Sequence, residues 1–256
     1  MIVIANFDAS IEDGLHSQMH LCILQMALLA QDLEFYNHKL ITMKKITIPK
    51  ISLCEYDAEK LNEIFSTLQA NEIANCNWPE DFPYAPQASF KAFHNGKKLF
   101  LQFNVTEKDI HAKITDNFGE VWTDPCVEAF IAPDEDTYYN FECTCIGRML
   151  VACHAKGKDT VKMPQDTLAT IERYPTLGSE NFALREGETS WSMIEVIPAS
   201  ALFNHNIEEW SGLNLRANFY KCGDYLPNPH FLSWNKIDFP RPNFHLPEFF
   251  GNISFE

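Results

Sequence analysis

Basic residues are scarce in this chain. Only 20 Lys and Arg stand against 35 Asp and Glu among 256 residues, which gives a formal net charge of −15 at pH 7. Proteins that bind nucleic acids present clustered positive charge to phosphates, so this balance argues against such a partner. Long apolar runs are also lacking: the longest, residues 21–30, has half of the about 20 residues that a membrane span needs and is interrupted by Gln25. No membrane partner is expected.

A secretion signal is not readable either. The 20 residues before that apolar run contain no Lys or Arg but do contain Asp8, Glu12 and Asp13, whereas a signal peptide begins with positive charge. The apolar run follows Cys22 instead of preceding it, which is the wrong order for a lipoprotein signal. As the sequence stands, it predicts a cytoplasmic protein.

Cysteine is too sparse for a disulfide scaffold, with eight residues in the chain and no Cys-x-x-Cys pair of the kind that zinc sites favour. Cys143 and Cys145 are two apart, so on a strand they share a face, and we expect reduced, buried thiols. The turn 134–136 offers three carboxylates to calcium, but acidic turns are usually only solvated. No Gly-rich phosphate loop is present. We therefore predict no cofactor and commit to no metal site, and structural calcium stays open.

The chain changes character at Met43. Residues 1–42 contain one short apolar patch and few turn signals, whereas Met43 begins a new alternating pattern and is a candidate start of the biological protein. We expect residues 1–42 to be an extension and residues 43–256 to form one domain. The alternative is that a helix at about residues 18–36 packs on this domain.

Two helices and many strands are expected in that domain. Apolar residues at i, i+3, i+4 and i+7 between Asp57 and Leu68 predict a helix with Asp57 as its N-cap, and Pro164–Tyr174 is a second candidate. Asn95-Gly96 joins two alternating runs, which predicts a hairpin with a type I′ turn. Further alternating runs are Val121–Ala132, Tyr138–Ile146, Met149–Ala155, Trp191–Ile197, Leu213–Cys222, His230–Trp234 and Asn252–Glu256.

This pattern predicts an all-β fold. About nine short strands separated by turns, with two or three short helices, are typical of an antiparallel β-sandwich, either a jelly roll or an immunoglobulin-like fold, and not of a βαβ repeat. The 20 Phe, 8 Tyr and 5 Trp supply ample material for its core.

Aromatic and polar side chains coincide at two places along these strands. If 121–130 is a strand that Pro125 does not distort, Trp122, Asp124 and Glu128 share one face, opposite an apolar face. The next strand places Asn140 and Glu142 on its polar side. A flat indole can contact the C–H face of a sugar, and carboxylates and amides bind its hydroxyls, so this combination suggests a carbohydrate ligand. Near the C-terminus, a further Trp stands beside an amide at Trp234-Asn235.

Longer stretches resemble the family 9 carbohydrate-binding modules, over roughly residues 43–256. They are VWTDPCVEAFIAP (121–133), YYNFECTCIG (138–147), FYKCGD (219–224), HFLSWN (230–235) and FHLPEFFGNISF (244–255). The resemblance implies a β-sandwich of the DOMON-like superfamily. It also implies a non-catalytic role in carbohydrate catabolism, with a xylan- or glucan-derived oligosaccharide or a monosaccharide as the partner.

Family members hold the reducing end of a glycan between two Trp rings with a Glu nearby. Carried over to this sequence, the resemblance implies that Trp122 and Trp234 face each other across a shallow cleft and that Glu128 is the principal hydroxyl acceptor. Asn140, Glu142 and Asn235 complete the expected ligand-binding set. Sugar binders of the family carry an Arg and an Asn in a Tyr-Arg-x-Asn run, whereas residues 139–142 read Tyr-Asn-Phe-Glu. Since Asn cannot reproduce the fork of Arg, no particular sugar is implied.

Three alternatives stay open. A glycosidase that hydrolyses O-glycosyl compounds could use two of Asp124, Glu128 and Glu142. Other DOMON-like domains hold haem through Met and His, and a protein-interaction module on the same fold is the third alternative. The residues available for haem are His154, His230, His245, Met149 and Met163.

Overall fold

Alternating apolar and polar residues fold into two stacked β-sheets in the computed structural model, which describes residues 43–256. The expected extension at residues 1–42, with the alternative helix at 18–36, lies outside the described residues. Met43–Glu256 is one compact unit. None of the helices in this part of the chain is long and apolar enough to span a membrane.

The larger sheet has nine strands within residues 43–256. Its path runs β1 (Lys45–Ile48), β14 (Gly251–Phe255), β12 (Asn214–Cys222), β6 (Cys126–Ala132), β7 (Thr137–Thr144), β8 (Met149–Ala155) and β9 (Val161–Lys162). Two short strands, β13 (Phe231–Ser233) and β3 (Asn75–Cys76), extend it beside β12. The pairs are antiparallel except for β1 and β14, which run parallel with Lys45 opposite Asn252.

The smaller sheet has five strands in the same part of the chain. They follow the order β10 (Glu172–Pro175), β11 (Phe182–Pro198), β5 (Lys98–Ala112), β4 (Gln87–His94) and β2 (Asn71–Glu72). Two α-helices are described, α1 (Ala58–Thr67) and α2 (Gln165–Leu168), and three 3-10 turns, Val121–Thr123, Ala199–Ala201 and Pro247–Phe249. The predicted all-β sandwich with few helices is confirmed.

Strand periodicity divides the apolar side chains among three clusters. Those that point between the sheets form the main core, including Val127, Ala129 and Ile131 of β6. The outer face of the smaller sheet is covered by α1, whose Leu61 and Phe65 pack with Phe93 and other residues of that face. The outer face of the larger sheet carries a third cluster with residues 236–250, which we call the covering loop. This last face holds the candidate site.

The structure confirms the first predicted helix and the predicted hairpin, but not the predicted type of turn. α1 begins after Asp57, whose carboxylate accepts a hydrogen bond from the Lys60 amide at 2.8 Å, so the predicted helix and N-cap are confirmed. The hairpin between β4 and β5 is also confirmed. Its turn is not type I′, because only Gly96 of the two turn residues has a positive φ (98°).

Two predicted elements were too long. The second helix, predicted over Pro164–Tyr174, ends at Leu168, and β10 then pairs with β11. The strand predicted from Val121 begins only at Cys126. Pro125 cannot donate a ladder hydrogen bond, and the Asp124 carboxylate accepts the amides of residues 113 and 114 at 2.7 and 2.8 Å.

Candidate functional site

A cavity of about 430 Å³ opens on the outer face of the larger sheet, between the sheet and the covering loop. Four predicted ligand-binding residues line it: Trp122, Glu128, Asn140 and Glu142. The structure therefore brings together residues from the turn before β6, from β6 and from β7. Several other lining residues were not predicted from the sequence, among them Cys222, Asp224, Phe231 and Phe244.

The floor of the cavity is a pair of buried carboxyl groups. Glu128 and Glu142 stand opposite each other on β6 and β7, with exposures of 2% and 4%. Oε1 of Glu142 accepts a hydrogen bond from Asn140 Nδ2 at 2.6 Å, whereas its Oε2 is buried without a partner. The Cys222 thiol donates to Glu128 Oε1 at 3.0 Å. An unpartnered buried acceptor is costly, and a ligand that donates a hydrogen bond would relieve that cost.

Burial changes the protonation of this floor. It raises the pKa of Glu142 to about 7, and it raises the pKa of Glu128 well above its usual range, with the neighbouring Glu142 adding to the effect. Burial also raises the pKa of Asp224 to about 6. Near neutral pH, small changes in the pH of the solution therefore alter the net charge of the cavity.

Trp122 supplies the indole at the wall. It lies in the 3-10 turn before β6, and its carbonyl accepts a hydrogen bond from the Asp224 amide at 3.0 Å. The side chain is half-buried and contacts the apolar cluster of the outer face. Among residues 43–256, no other aromatic ring pairs with this indole at stacking distance. Part of its surface is therefore available to a ligand.

Two histidines stand at the rim. His154 stacks on Tyr138 with ring centroids 4.7 Å apart, and its Nε2 donates to Asn140 Oδ1 at 3.1 Å. This contact, with the hydrogen bond from Asn140 to Glu142, fixes the orientation of the amide. His245 of the covering loop lies 3.0 Å from the Tyr138 hydroxyl. From the sequence, both histidines are candidates only as haem ligands, and their place beside the polar floor was not predicted.

Trp234 and Asn235 do not line the cavity, so the predicted cleft between Trp122 and Trp234 was wrong. Trp234 is 2% exposed and packs edge-on against Phe90 and Phe219 at 5.9 and 5.7 Å in the main core. A Cβ at position 251 would lie 2.6 Å from its ring, so Gly251 makes room for it. The Asn235 side chain accepts a hydrogen bond from the Lys44 amide at 2.8 Å and donates one to the Phe249 carbonyl at 2.7 Å. Its role is therefore structural.

The residues considered for haem are dispersed. Met149 and Met163 lie in the main core, while His154 and His245 stand at the cavity rim. His230 is fully buried in a polar network between the sheets.

The acidic turn at residues 134–136, which was considered for calcium, is held by its own hydrogen bonds. The Asp134 carboxylate accepts a hydrogen bond from the Asp136 amide and lies 3.0 Å from His205 Nε2.

The network around His230 links the two sheets. Lys221 of β12 is fully buried, and its ammonium lies 3.0 Å from Glu107 Oε2 on β5. It donates to His230 Nε2 at 2.9 Å and to the Cys222 carbonyl at 2.6 Å. Trp191 Nε1 donates to the other Glu107 oxygen at 2.7 Å. Burial and the Lys221 charge lower the pKa of His230 well below its usual range. The neutral imidazole therefore accepts a hydrogen bond from the Lys221 ammonium.

This architecture is similar to that of several solved structures. A structure from Bacteroides uniformis, whose assignment to carbohydrate binding is provisional, is 38% identical, with a TM-score of 0.81 over 84% of this chain and 100% of that chain. A carbohydrate-binding module of family 9 from Caldicellulosiruptor kristjanssonii in complex with glucose matches at 12% identity and TM-score 0.51, over 83% of this chain and 96% of that one. Its complex with cellotriose gives 12% and 0.50, over 83% and 94%.

No curated protein matches the chain. The model of carbohydrate-binding family 9 matches residues 59–255, which is most of the part that the structure describes. The chain belongs to carbohydrate-binding family 9.

Proposed function

We propose that the cavity binds a sugar ring or the end of a glycan chain without cleaving it. The observation that carries this proposal is the pairing of a free indole surface on Trp122 with the unpartnered, buried Oε2 of Glu142 in one cavity of about 430 Å³. A sugar presents an apolar C–H face and several hydroxyl donors, and it therefore satisfies both features at once.

The expected pose follows from the walls and floor. The sugar ring lies against Trp122, and a hydroxyl donates to Glu142 Oε2. Glu128 lies on the adjacent strand within the same floor. Because Trp234 is in the core, a second indole is not part of this site, and Phe231 or Phe244 of the lining takes the opposite side. Glucose and cellotriose, the ligands of the Caldicellulosiruptor module, make glucan-derived sugars the first choice, with xylan-derived ones as the alternative. A role in carbohydrate catabolism is part of the proposal.

Replacing Trp122 by Ala should weaken sugar binding by about 5- to 150-fold. An aromatic platform contributes about 1–3 kcal/mol in comparable stacking, and alanine removes it. Titration calorimetry with glucose, cello-oligosaccharides and xylo-oligosaccharides measures the effect. Trp122→Phe is the matched control, because it keeps a flat ring and should retain most of the affinity. Unchanged affinity in the alanine variant would remove Trp122 from the site, and a wild-type protein that binds none of these sugars at millimolar concentration would overturn the function.

Affinity should rise with pH. With a Glu142 pKa of about 7, roughly a tenth of the carboxyl is ionised at pH 6 and nine-tenths at pH 8. If the ligand donates to the carboxylate, the dissociation constant should fall about tenfold between these values. Glu142→Gln keeps the shape, cannot ionise and should show a flat profile. A wild-type profile as flat as that of the variant would mean that Glu142 does not accept from the ligand.

The same protein samples decide between binding and hydrolysis. Binding without release of reducing sugar from the oligosaccharides supports the proposed function. Turnover that is lost in Glu128→Gln or Glu142→Gln would instead establish a glycosidase.

A further inference from the structure

Two thiols and a carboxyl form a tight triangle in the floor of the cavity. Cys126 and Cys222 are direct neighbours across β6 and β12, and Glu128 lies two residues along β6 on the same face. The two sulfur atoms and a carboxylate oxygen all lie within 4.8 Å of one another, and all three residues are buried. Within the described residues, no other three His, Cys, Asp or Glu side chains bring their ligand atoms this close.

We propose that Cys126, Glu128 and Cys222 bind one thiophilic divalent cation, with Zn²⁺ as the expected metal. Thiolate ligands select zinc over magnesium or calcium, and a carboxylate oxygen completes a mixed donor set that zinc accepts. Three protein ligands leave a fourth position open, the arrangement of zinc sites that keep a water or a substrate bound.

The distances suit tetrahedral coordination after small movements. Zn–S bonds of about 2.3 Å and Zn–O bonds of about 2.0 Å set neighbouring ligand atoms roughly 3.5–3.8 Å apart. Cys222 Sγ is 3.0 Å from Glu128 Oε1, and every other separation is at most 4.8 Å. Each ligand atom therefore has to move by about 1 Å or less, which side-chain rotation supplies without a change in the strands.

The site is accessible from the cavity, and acidic side chains surround it. Glu128 and Cys222 line the cavity, so a cation can enter from solvent and its open position faces the cavity. Glu142 and Asp224 add two more carboxyl groups around it. Among the described residues that line the cavity, Lys162 is the one Lys or Arg, and it is exposed. The nearby ammonium of Lys221 is committed to Glu107 and His230 on the opposite face of the sheet.

Sequence spacing could not reveal this triangle. Cys126 and Glu128 are two residues apart, but Cys222 joins them only through the pairing of β6 with β12. The prediction of no metal site rested on the absence of a Cys-x-x-Cys pair, and that criterion detects only ligands that are adjacent in the chain. The inference does not rest on the sugar-binding proposal, because it is argued only from the positions of the two thiols and of Glu128.

Cadmium titration of the full, reduced chain tests the site. Cd²⁺ reports thiolate ligands by an ultraviolet charge-transfer band, and we expect one metal per chain with the intensity of two thiolates. C126S and C222S should each weaken binding by at least about 100-fold, more than the loss of an outer-sphere partner costs. C54S and C76S are the matched controls, because the first thiol is exposed and the second lies outside the triangle, and both should behave as wild type. Zn²⁺ added in excess should compete with Cd²⁺ for the same site and lower the band.

The wild-type protein provides a readout that needs no variant. If the serine variants fail to fold, a rise in the wild-type Tm with stoichiometric Zn²⁺, reduced in Glu128→Gln, supports the site through ligand-linked stability. No charge-transfer band in the reduced wild type, a band that survives in C222S, or a band that is lost in C54S would each overturn the proposal.

Discussion

Replacing Lys221 by Met should lower the free energy of unfolding by about 3–5 kcal/mol. The substitution leaves the Glu107 carboxylate and the His230 imidazole buried without the ammonium that holds them, and loss of one partner from a buried ion pair costs about this much. For a chain of this size, the Tm should fall by roughly 6–20 °C. Urea unfolding followed by tryptophan fluorescence measures the change.

A surface lysine provides the matched control. Lys97 pairs with Glu209 at 3.0 Å, but both side chains are more than half exposed, so Lys97→Met should cost less than about 1 kcal/mol. If both variants lost the same stability, the Lys221 network would contribute no more than a surface pair. Replacing Lys221 and Glu107 together by apolar residues should recover much of the loss, because no unpaired charge remains.

Replacing Trp234 by Ala should cost about 3–5 kcal/mol of stability. The indole fills the space between the sheets beside Phe90 and Phe219, and its removal leaves a cavity that the packed strands cannot close. The folded fraction of this variant should bind sugar with wild-type affinity, because Trp234 does not line the cavity. Trp122→Ala should show the reverse: a large change in affinity with a small change in stability.

The two tryptophan variants together separate core from site. Thermal melts and calorimetry on the same preparations give both numbers for each variant. A Trp234→Ala protein with wild-type stability and weakened sugar binding would return this residue to the ligand and would contradict its position in the core.

Local periodicity predicted the sandwich and helped to place four of the six expected ligand-binding residues in the cavity. The alternation in β6 and β7 correctly placed Val127, Ala129 and Ile131 in the core and set Glu128 with Glu142 on the other face. This worked because both strands are central in their sheet, so each face has one environment along its whole length. Trp122 reached the cavity although its segment is a 3-10 turn and not a strand.

Orientation failed where no regular strand carries the residue. β13 has only three residues, and Trp234 follows its end, so period-two alternation could not decide which face the indole takes. Periodicity does not predict the position of the covering loop either, although this loop supplies Phe244 and His245 to the cavity wall. The contact between Cys126 and Cys222 depends on strand pairing between distant parts of the chain, and local patterns carry no information about such pairs.

The parallel pairing of β1 with β14 also constrains how the protein forms during synthesis. Thr47 and Ser254 contact each other at 3.0 Å although 207 positions separate them in the chain. β1 therefore leaves the ribosome long before its partner exists, and that edge of the larger sheet stays open until β14 has been made. Strands this far apart in the chain pair slowly, because closing the long loop between them costs entropy before the stabilising contacts form. Until then β1 presents unpaired backbone groups, which expose it to non-native strand pairing in a nascent chain.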